Sequence, residues 1–254
     1  MEWTDQAIVL STRRHGETSA IVSLLTRERG RHAGLLRGAG SKRLRGVVMP
    51  GNEVRASWRA RIADHLGTVH VEPAMSRAGF IMDDAARLAA LSSACALLDQ
   101  GLMEREAHPA LYNATAVLFD ALAAATDDWA EAYFAWELGF LAELGFGLDL
   151  EKCAGDGRRE NLGYVSPKSG RAVSLEAGAP WREKLLPLPR FLVGERGRPI
   201  ANHPRTDLAD AAQLTGHFLE RHVFSHESKG MPAVRGRFVE ILLRETTTSG
   251  DLNP

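Results

Sequence analysis

Between residues 53 and 62 the apolar side chains Val54, Ala56, Trp58, Ala60 and Ile62 alternate with Glu53, Arg55, Ser57, Arg59 and Arg61. A period of two sends successive side chains to opposite faces, so this stretch predicts a half-buried strand whose outer face carries Arg55, Arg59 and Arg61. A strand half buried in this way needs partners, and its surroundings supply them. Ala7 to Thr12 and Ser19 to Thr26 are β-rich runs separated by Arg-Arg-His-Gly-Glu, and Arg31 to Leu36 follows a turn in which Gly30 can take the positive φ. A fifth run, Leu66 to Glu72, stops at Pro73. Five short strands in so few residues predict a small closed barrel, and the OB-fold is the common barrel of that size.

From Asp83 the period changes. Leu88, Leu91, Cys95, Leu98 and Leu102 recur every three or four residues, one apolar stripe on a helix opened by Asp83-Asp84. His108-Pro109 opens a second helix, because proline is tolerated where the N–H has no intrahelical partner. Asp128 with Glu131 three residues on resembles a capping box for a third, with Trp129, Tyr133, Trp136, Phe140 and Leu144 on one side. Residues 83–146 therefore read as a helical bundle. The segment from about 147 to 205, rich in Gly, Pro and charge, reads as loops with short hairpins, before helices over Asp207–His222 and Pro232–Thr246. The expected division is a barrel domain over residues 1–80 and a helical domain over 81–254 that contains the 147–205 insertion.

Net charge over the 254 residues is −1, but its distribution is uneven. Residues 1–80 hold 13 Lys+Arg against 7 Asp+Glu, and the remainder 18 against 25, so a basic head precedes an acidic body. The densest cationic stretch is Arg37-Gly-Ala-Gly-Ser-Lys42-Arg43-Leu-Arg45-Gly46. A P-loop is excluded, because Ser41 separates Gly40 from Lys42 and position 35 is Leu; a dinucleotide fingerprint is excluded by Arg43. A solvated turn and a flexible basic finger for a nucleic-acid backbone both fit these residues taken alone. Arg13, Arg14, Arg27, Arg29 and Arg31 lie at neighbouring turns or strand ends, and with the outward arginines of residues 55–61 they can merge into one field that attracts a polyanion. Aromatics available for stacking are few, so binding is expected to lean on backbone charge.

Catalytic and metal patterns are weak. There is no G-x-S-x-G and no H-E-x-x-H, and Cys95 sits within a leucine stripe. The two cysteines, Cys95 and Cys153, cannot form a disulfide framework or complete a zinc site alone. His203, His217, His222 and His226 are a loose candidate metal group. No apolar run is long enough to span a bilayer and no signal peptide opens the chain, so a cytoplasmic, nucleoid-associated location is expected.

The segments "QAIVLSTRRHGETSAIVSLLTRERGRHAGLLRGAGS", "VRASWRARIADHLGTVHVEP" and "FLAELGFGLDLEKCAGDG...LGYVSPKSGRAVS", with an echo in "PAVRGRFVEILL", resemble the DNA repair protein RecO family. The resemblance implies an OB-fold followed by a helical domain. It implies a non-enzymatic recombination mediator, without a cofactor, that binds single- and double-stranded DNA and anneals complementary strands. It further implies that the mediator works with RecR to help load RecA on DNA covered by single-strand-binding protein (SSB), whose C-terminal tail meets the helical domain. On this basis Arg37, Lys42, Arg43 and Arg45 are expected to contact DNA backbone, with Arg13, Arg14, Arg31, Arg55, Arg59 and Arg61 as further DNA contacts. Some relatives carry a four-cysteine zinc module. Here Cys153 matches its first ligand, but the second place is Asp156 and the later pair falls near Ser174 and Ala177. A zinc-less insertion held by packing is therefore expected. The rival reading is an OB-fold RNA-binding or adaptor protein; a hydrolase using the terminal histidines ranks last.

Overall fold

The computed structural model describes residues 1–62, 65–193, 204–225 and 230–250. Strands β1 (Glu2–His15), β2 (Ser19–Thr26), β3 (Gly30–Leu36), β4 (Glu53–Arg59) and β5 (Thr68–Met75) close into a barrel in the order β1-β2-β3-β5-β4, with helix α1 (Lys42–Val47) between β3 and β4. All neighbours are antiparallel except β3 and β5, which meet in parallel at Leu35–Thr68 and Leu36–Val69 and so close the ring. Because β3 runs parallel to β1, the β1–β2 turn and the β3–β4 connection lie at one end of the barrel. The β2–β3 turn and the β4–β5 connection lie at the other.

Val9, Val22, Leu24, Leu36, Val54, Ala56, Trp58 and Val69 fill the interior. Each of the valine and leucine side chains among them contributes about 1.5–3 kcal/mol on burial. Trp58 is the largest; its indole N–H donates to the Ala33 carbonyl at 3.1 Å, and a Cβ at Gly67 would come within 2.3 Å of its ring. Only a glycine fits there. The alternation in β4 holds for Val54, Ala56 and Trp58, but the strand ends at Arg59, leaving Ile62 exposed and Arg61 beyond the pairing. The fifth strand does not stop at Pro73. It continues to Met75, and Pro73 sits opposite Val54 where the register shifts, a place where a missing N–H disrupts no regular ladder.

Helices α2 (Ala78–Ile81), α3 (Ala85–Gly101) and α4 (Pro109–Ala124) follow. Asp84 caps α3 by accepting the Arg87 amide at 2.8 Å, and Pro109 opens α4. Leu91, Cys95, Leu98 and Leu102 of the predicted stripe are buried, while Leu88 lies at its exposed margin. The α3 helix packs on the outer faces of β1 and β2: Cys95 Sγ meets the Val9 carbonyl at 3.8 Å, and Asp99 accepts hydrogen bonds from Ser11 (2.9 Å) and Ser23 (2.5 Å). Burial pushes the Cys95 thiol pKa far up, as suits a core residue. Arg77, almost wholly buried, pairs with Glu53 at 3.0 Å and Asp120 at 2.7 Å, joining β4 to α4.

The chain divides into two compact units, residues 1–126 with 232–238, and residues 127–231 with the chain from 239 onward. Thus α3 and α4 belong with the barrel. The second unit contains α5 (Trp129–Glu143), β6 (Leu162–Val165), β7 (Ala172–Ser174), α6 (Leu175–Gly178), β8 (Leu186–Pro187), α7 (Pro204–His222) and most of α8 (Ala233–Gly250). Tyr133, Trp136 and Phe140 of α5 are buried, and α5 packs on α7, where Thr215 donates to buried Glu137 at 2.5 Å. The capping box expected at Asp128 does not form: Asp128 makes no side-chain cap. Burial, then Asp128 and Asp207, push the Glu131 carboxyl pKa up. Strands β6, β7 and β8 form a small antiparallel sheet in the order β7-β6-β8 within the 147–205 segment. Among the described residues, no helix is long and apolar enough to cross a membrane.

Candidate nucleic-acid interface

The basic stretch after β3 is an ordered turn and helix, where the sequence suggested a flexible finger. Gly38 takes φ +70° and turns the chain, and the Ser41 amide donates to its carbonyl at 3.1 Å. Ser41 then caps α1 by accepting the Leu44 amide. Leu44 and Val47, three residues apart, lie half-buried against the barrel core, and Ala39 and Val48 are buried in it. The Asn52 side chain donates to the Gly46 carbonyl at 2.8 Å and Thr12 to that of Val48 at 2.7 Å, tying the end of α1 to the barrel. Glycines and charges dominate the stretch by count and hide its short apolar face; that is why the sequence reads as a loop.

This packing presents Arg37, Lys42 and Arg43 to solvent. Arg45 is exposed too but folds back, its guanidinium donating twice to the Gly40 carbonyl at 3.0 and 2.8 Å. Arg13 and Arg14 stand on the adjacent end of β1, in the strand and not in the turn, opposite Ile21 and Ala20. A cavity of 410 Å³ between Thr12, Arg14, Glu17, Ala39, Arg45 and Met49 joins β1 to the helix-bearing connection. Among the described residues none of Arg13, Arg14, Arg37, Lys42 or Arg43 has an ion-pair partner. These cations are thus concentrated at one end of the barrel, without an ion-pair partner among the described residues.

The other expected contacts are not brought into that group. Arg55 is on the outer face of β4, opposite Gln6 on one side and Glu72 on the other, and it shares a cavity with Asp5. Arg59 faces Glu2 across the sheet, and Arg61 follows it toward the opposite barrel end. The single merged field expected from sequence is therefore split, because Arg55 and Arg59 each have one acidic cross-strand neighbour, Glu72 and Glu2. Arg31 is diverted altogether. Its Nε donates to the Leu102 carbonyl at 2.9 Å, and its Nη1 lies 3.4 Å from Glu104 and 3.7 Å from Asp99, so its charge is spent on α3 and the loop after it.

Of the terminal histidines, His203 and His226 lie outside the described residues. His217 meets the Pro167 carbonyl at 3.2 Å and His222 stacks on Phe146 at 4.8 Å, both uses that leave the rings in packing roles. Burial, then Arg221, hold the His222 pKa below its ordinary value.

Two family profiles match the chain: "Recombination protein O N terminal" over residues 1–77 and "Recombination protein O C terminal" over residues 82–230. The chain belongs to the RecO family. It is 53% identical over 252 residues to the DNA repair protein RecO of Rhodospirillum centenum, covering 98% of each chain. Identity is 50% over 248 residues to that of Rhodospirillum rubrum (96% of this chain, 97% of the relative) and 43% over 251 residues to that of a Jannaschia species (98% and 100%). RecO proteins are recombination mediators in DNA repair and are not enzymes, and the family implies DNA and RecR-type partners.

The four-cysteine zinc module that the resemblance implied falls on Cys153, Asp156, Ser174 and Ala177. The four corresponding positions remain close in space. The Cys153 sulfur accepts the Gly155 amide at 3.3 Å, the Ser174 hydroxyl donates to Asp156 at 3.0 Å, and the Ala177 amide donates back to Ser174. A hydrogen bond from Cys153, then the Arg158 amide, hold the Asp156 carboxyl pKa below its usual value. One thiol, one carboxylate, a hydroxyl already bonded and an alanine do not fit a structural zinc. Among the described residues no group of three or more His, Cys, Asp or Glu side chains is placed to hold a metal.

Proposed function

We propose that this chain binds single- and double-stranded DNA through the finger end of its N-terminal domain, residues 1–80, and anneals complementary strands there. With RecR it then helps load RecA on DNA coated by SSB, whose C-terminal tail docks on the helical domain, residues 81–254, in the cytoplasm at the nucleoid. The observation that carries the reading is the set of five cations, Arg13 and Arg14 on β1, Arg37 just after β3, and Lys42 and Arg43 on α1, without a carboxylate partner among the described residues. Bringing two polyanions together is opposed mainly by their charge, and fixed cations at one end of a rigid barrel lower that barrier. The chemistry needs no nucleotide, metal or covalent step. Arg31 is left out of this surface and Arg45 is given a supporting part, because each already has an internal partner.

The test is fluorescence anisotropy of a labelled single strand across a salt series, comparing the parent with Arg37→Ala/Lys42→Ala/Arg43→Ala. Each lost phosphate contact should flatten the log–log salt slope by about 0.7 on a single strand. Coincident curves would remove the finger from the interface. Annealing of complementary strands should slow in the same variant.

A further inference from the structure

Helix α1 contains no fully buried residue, and its six residues fall well short of the roughly 12–15 at which a helix holds on its own. Its place on the barrel therefore depends on how its end is held as well as on half-buried Leu44 and Val47. The last carbonyls of a helix have no intrahelical donor. Here two side chains from other parts of the barrel supply donors. Asn52 Nδ2 donates to the Gly46 carbonyl at 2.8 Å and to that of Val47 at 3.4 Å, and Thr12 Oγ1 donates to that of Val48 at 2.7 Å. The Arg45 and Val48 amides close bonds of the helix itself, to Ser41 at 3.1 Å and Leu44 at 3.0 Å, so a slack end would be felt along all of α1.

Asn52 is itself firmly placed. It closes the turn Met49-Pro50-Gly51-Asn52, in which proline comes second, Gly51 takes φ +87°, and the Asn52 amide donates to the Met49 carbonyl at 3.1 Å, the marks of a type II turn. The turn is pinned to β1, since the Gly51 amide donates to the Val9 carbonyl at 2.8 Å and the Val9 amide to that of Asn52 at 2.9 Å. A Cβ at Gly51 would lie 2.6 Å from Leu91, so the turn also presses on α3. The Asn52 side chain is 2% exposed, and its Oδ1 accepts the Ala78 amide at 3.0 Å at the start of α2. One buried amide thus joins two helices, with its donors on α1 and its acceptor on α2. It has no surface to offer to DNA, so any effect it has on binding passes through what it holds.

We propose that Asn52 and Thr12 are positioning residues of the DNA surface: by completing the C-terminal hydrogen bonds of α1 they set the fraction of molecules in which Lys42 and Arg43 stand fixed for a phosphate backbone. The inference rests on the reading of the finger as a DNA contact and adds what holds that contact in place. A cation on a loose turn has to be ordered as it binds, and apparent affinity falls with the fraction of protein already in the binding form. In a helix of one and a half turns, losing a single end bond moves that fraction. The two residues act from opposite sides, Thr12 from β1 and Asn52 from the turn before β4, so neither alone accounts for the hold.

The experiment measures two quantities on the full chain: hydrogen exchange at the Arg45 and Val48 amides without DNA, and anisotropy of a labelled single strand. Thr12→Val keeps the shape of an exposed side chain and removes its hydroxyl, Thr12→Ser restores the hydroxyl, and Asn52→Asp keeps an oxygen for Ala78 while removing both donors to α1. In Thr12→Val the two amides should exchange about fivefold faster, as the loss of one hydrogen bond implies, and strand affinity should fall about threefold. Thr12→Ser should recover both, and Asn52→Asp should exceed Thr12→Val in both. Within Lys42→Ala/Arg43→Ala, Thr12→Val should lose most of its effect on affinity, because the cations it positions are gone. The proposal is overturned if Thr12→Val exchanges as the parent does, if it exchanges faster yet binds as the parent does, or if it costs as much affinity within Lys42→Ala/Arg43→Ala as alone. Thr12→Val decides by itself where Asn52→Asp does not fold. Failure of the finger reading shows separately, as Lys42→Ala/Arg43→Ala binding the strand as the parent does.

Discussion

The two ends of the barrel use the same residue type in opposite ways. Where β1 meets α1, Arg13, Arg14, Arg37, Lys42 and Arg43 have no carboxylate partner among the described residues. At the start of β3, Arg31 has two carboxylates and a carbonyl within reach. The difference teaches that an arginine's role is assigned by what stands next to it, not by its place in a basic region. A cation facing water attracts a distant anion, whereas one bonded to its own protein organises structure.

The largest effect that sharpens this contrast is on DNA affinity. Losing Arg37, Lys42 and Arg43 together, at about 1 kcal/mol per contact, should weaken single-strand binding on the order of a hundredfold. The same variant should unfold within about 0.5 kcal/mol of the parent per substitution, since no internal partner is lost. Arg31→Ala should do the reverse. Losing its charged hydrogen bonds should cost roughly 1.5–3 kcal/mol in urea unfolding and leave the long-strand salt slope within about one contact of the parent. An Arg31→Ala slope as flat as that of the finger variant would break the comparison.

Smaller effects follow. Leu44→Ala removes the apolar foot of α1; with a half-buried site the loss should be about 1 kcal/mol, and DNA affinity should fall a few-fold as α1 loosens. That result separates an ordered finger from a merely charged one, which would not notice Leu44. The smallest effect is on pH dependence at the clamped end. The folded His32 pKa lies below its unfolded value, so the unfolded chain takes up the proton first. Stability should therefore fall as pH drops through about 6.5 and level off below the folded value. His32→Gln should flatten that fall relative to the parent, while Lys42→Ala should leave it unchanged.

Much of the barrel could be read directly from residues. The alternation of Val54, Ala56 and Trp58 is a local pattern, and the strand it predicts packs with those three side chains inside. Asp84 as a cap and Pro109 as a first helical residue are equally local. Where reading failed, a distant partner decided. Pro73 stays in its strand because Val54 meets it at a bulge, and α1 forms because Leu44 and Val47 find the barrel core. Cys153, Asp156, Ser174 and Ala177 keep the spacing of a metal module, yet they hold together through hydrogen bonds.

The sequence by itself determined the order of strands and helices, the basic head and the family, because periodicity, caps and composition act over a few residues. Only the tertiary structure decided which cations remain available. Asp99 lies in α3 and Arg31 in β3, and nothing in either neighbourhood names the other; packing α3 across β1 and β2 brings them together. Electrostatic pairing depends on distance in space, and a chain that folds back on itself makes that distance independent of sequence separation.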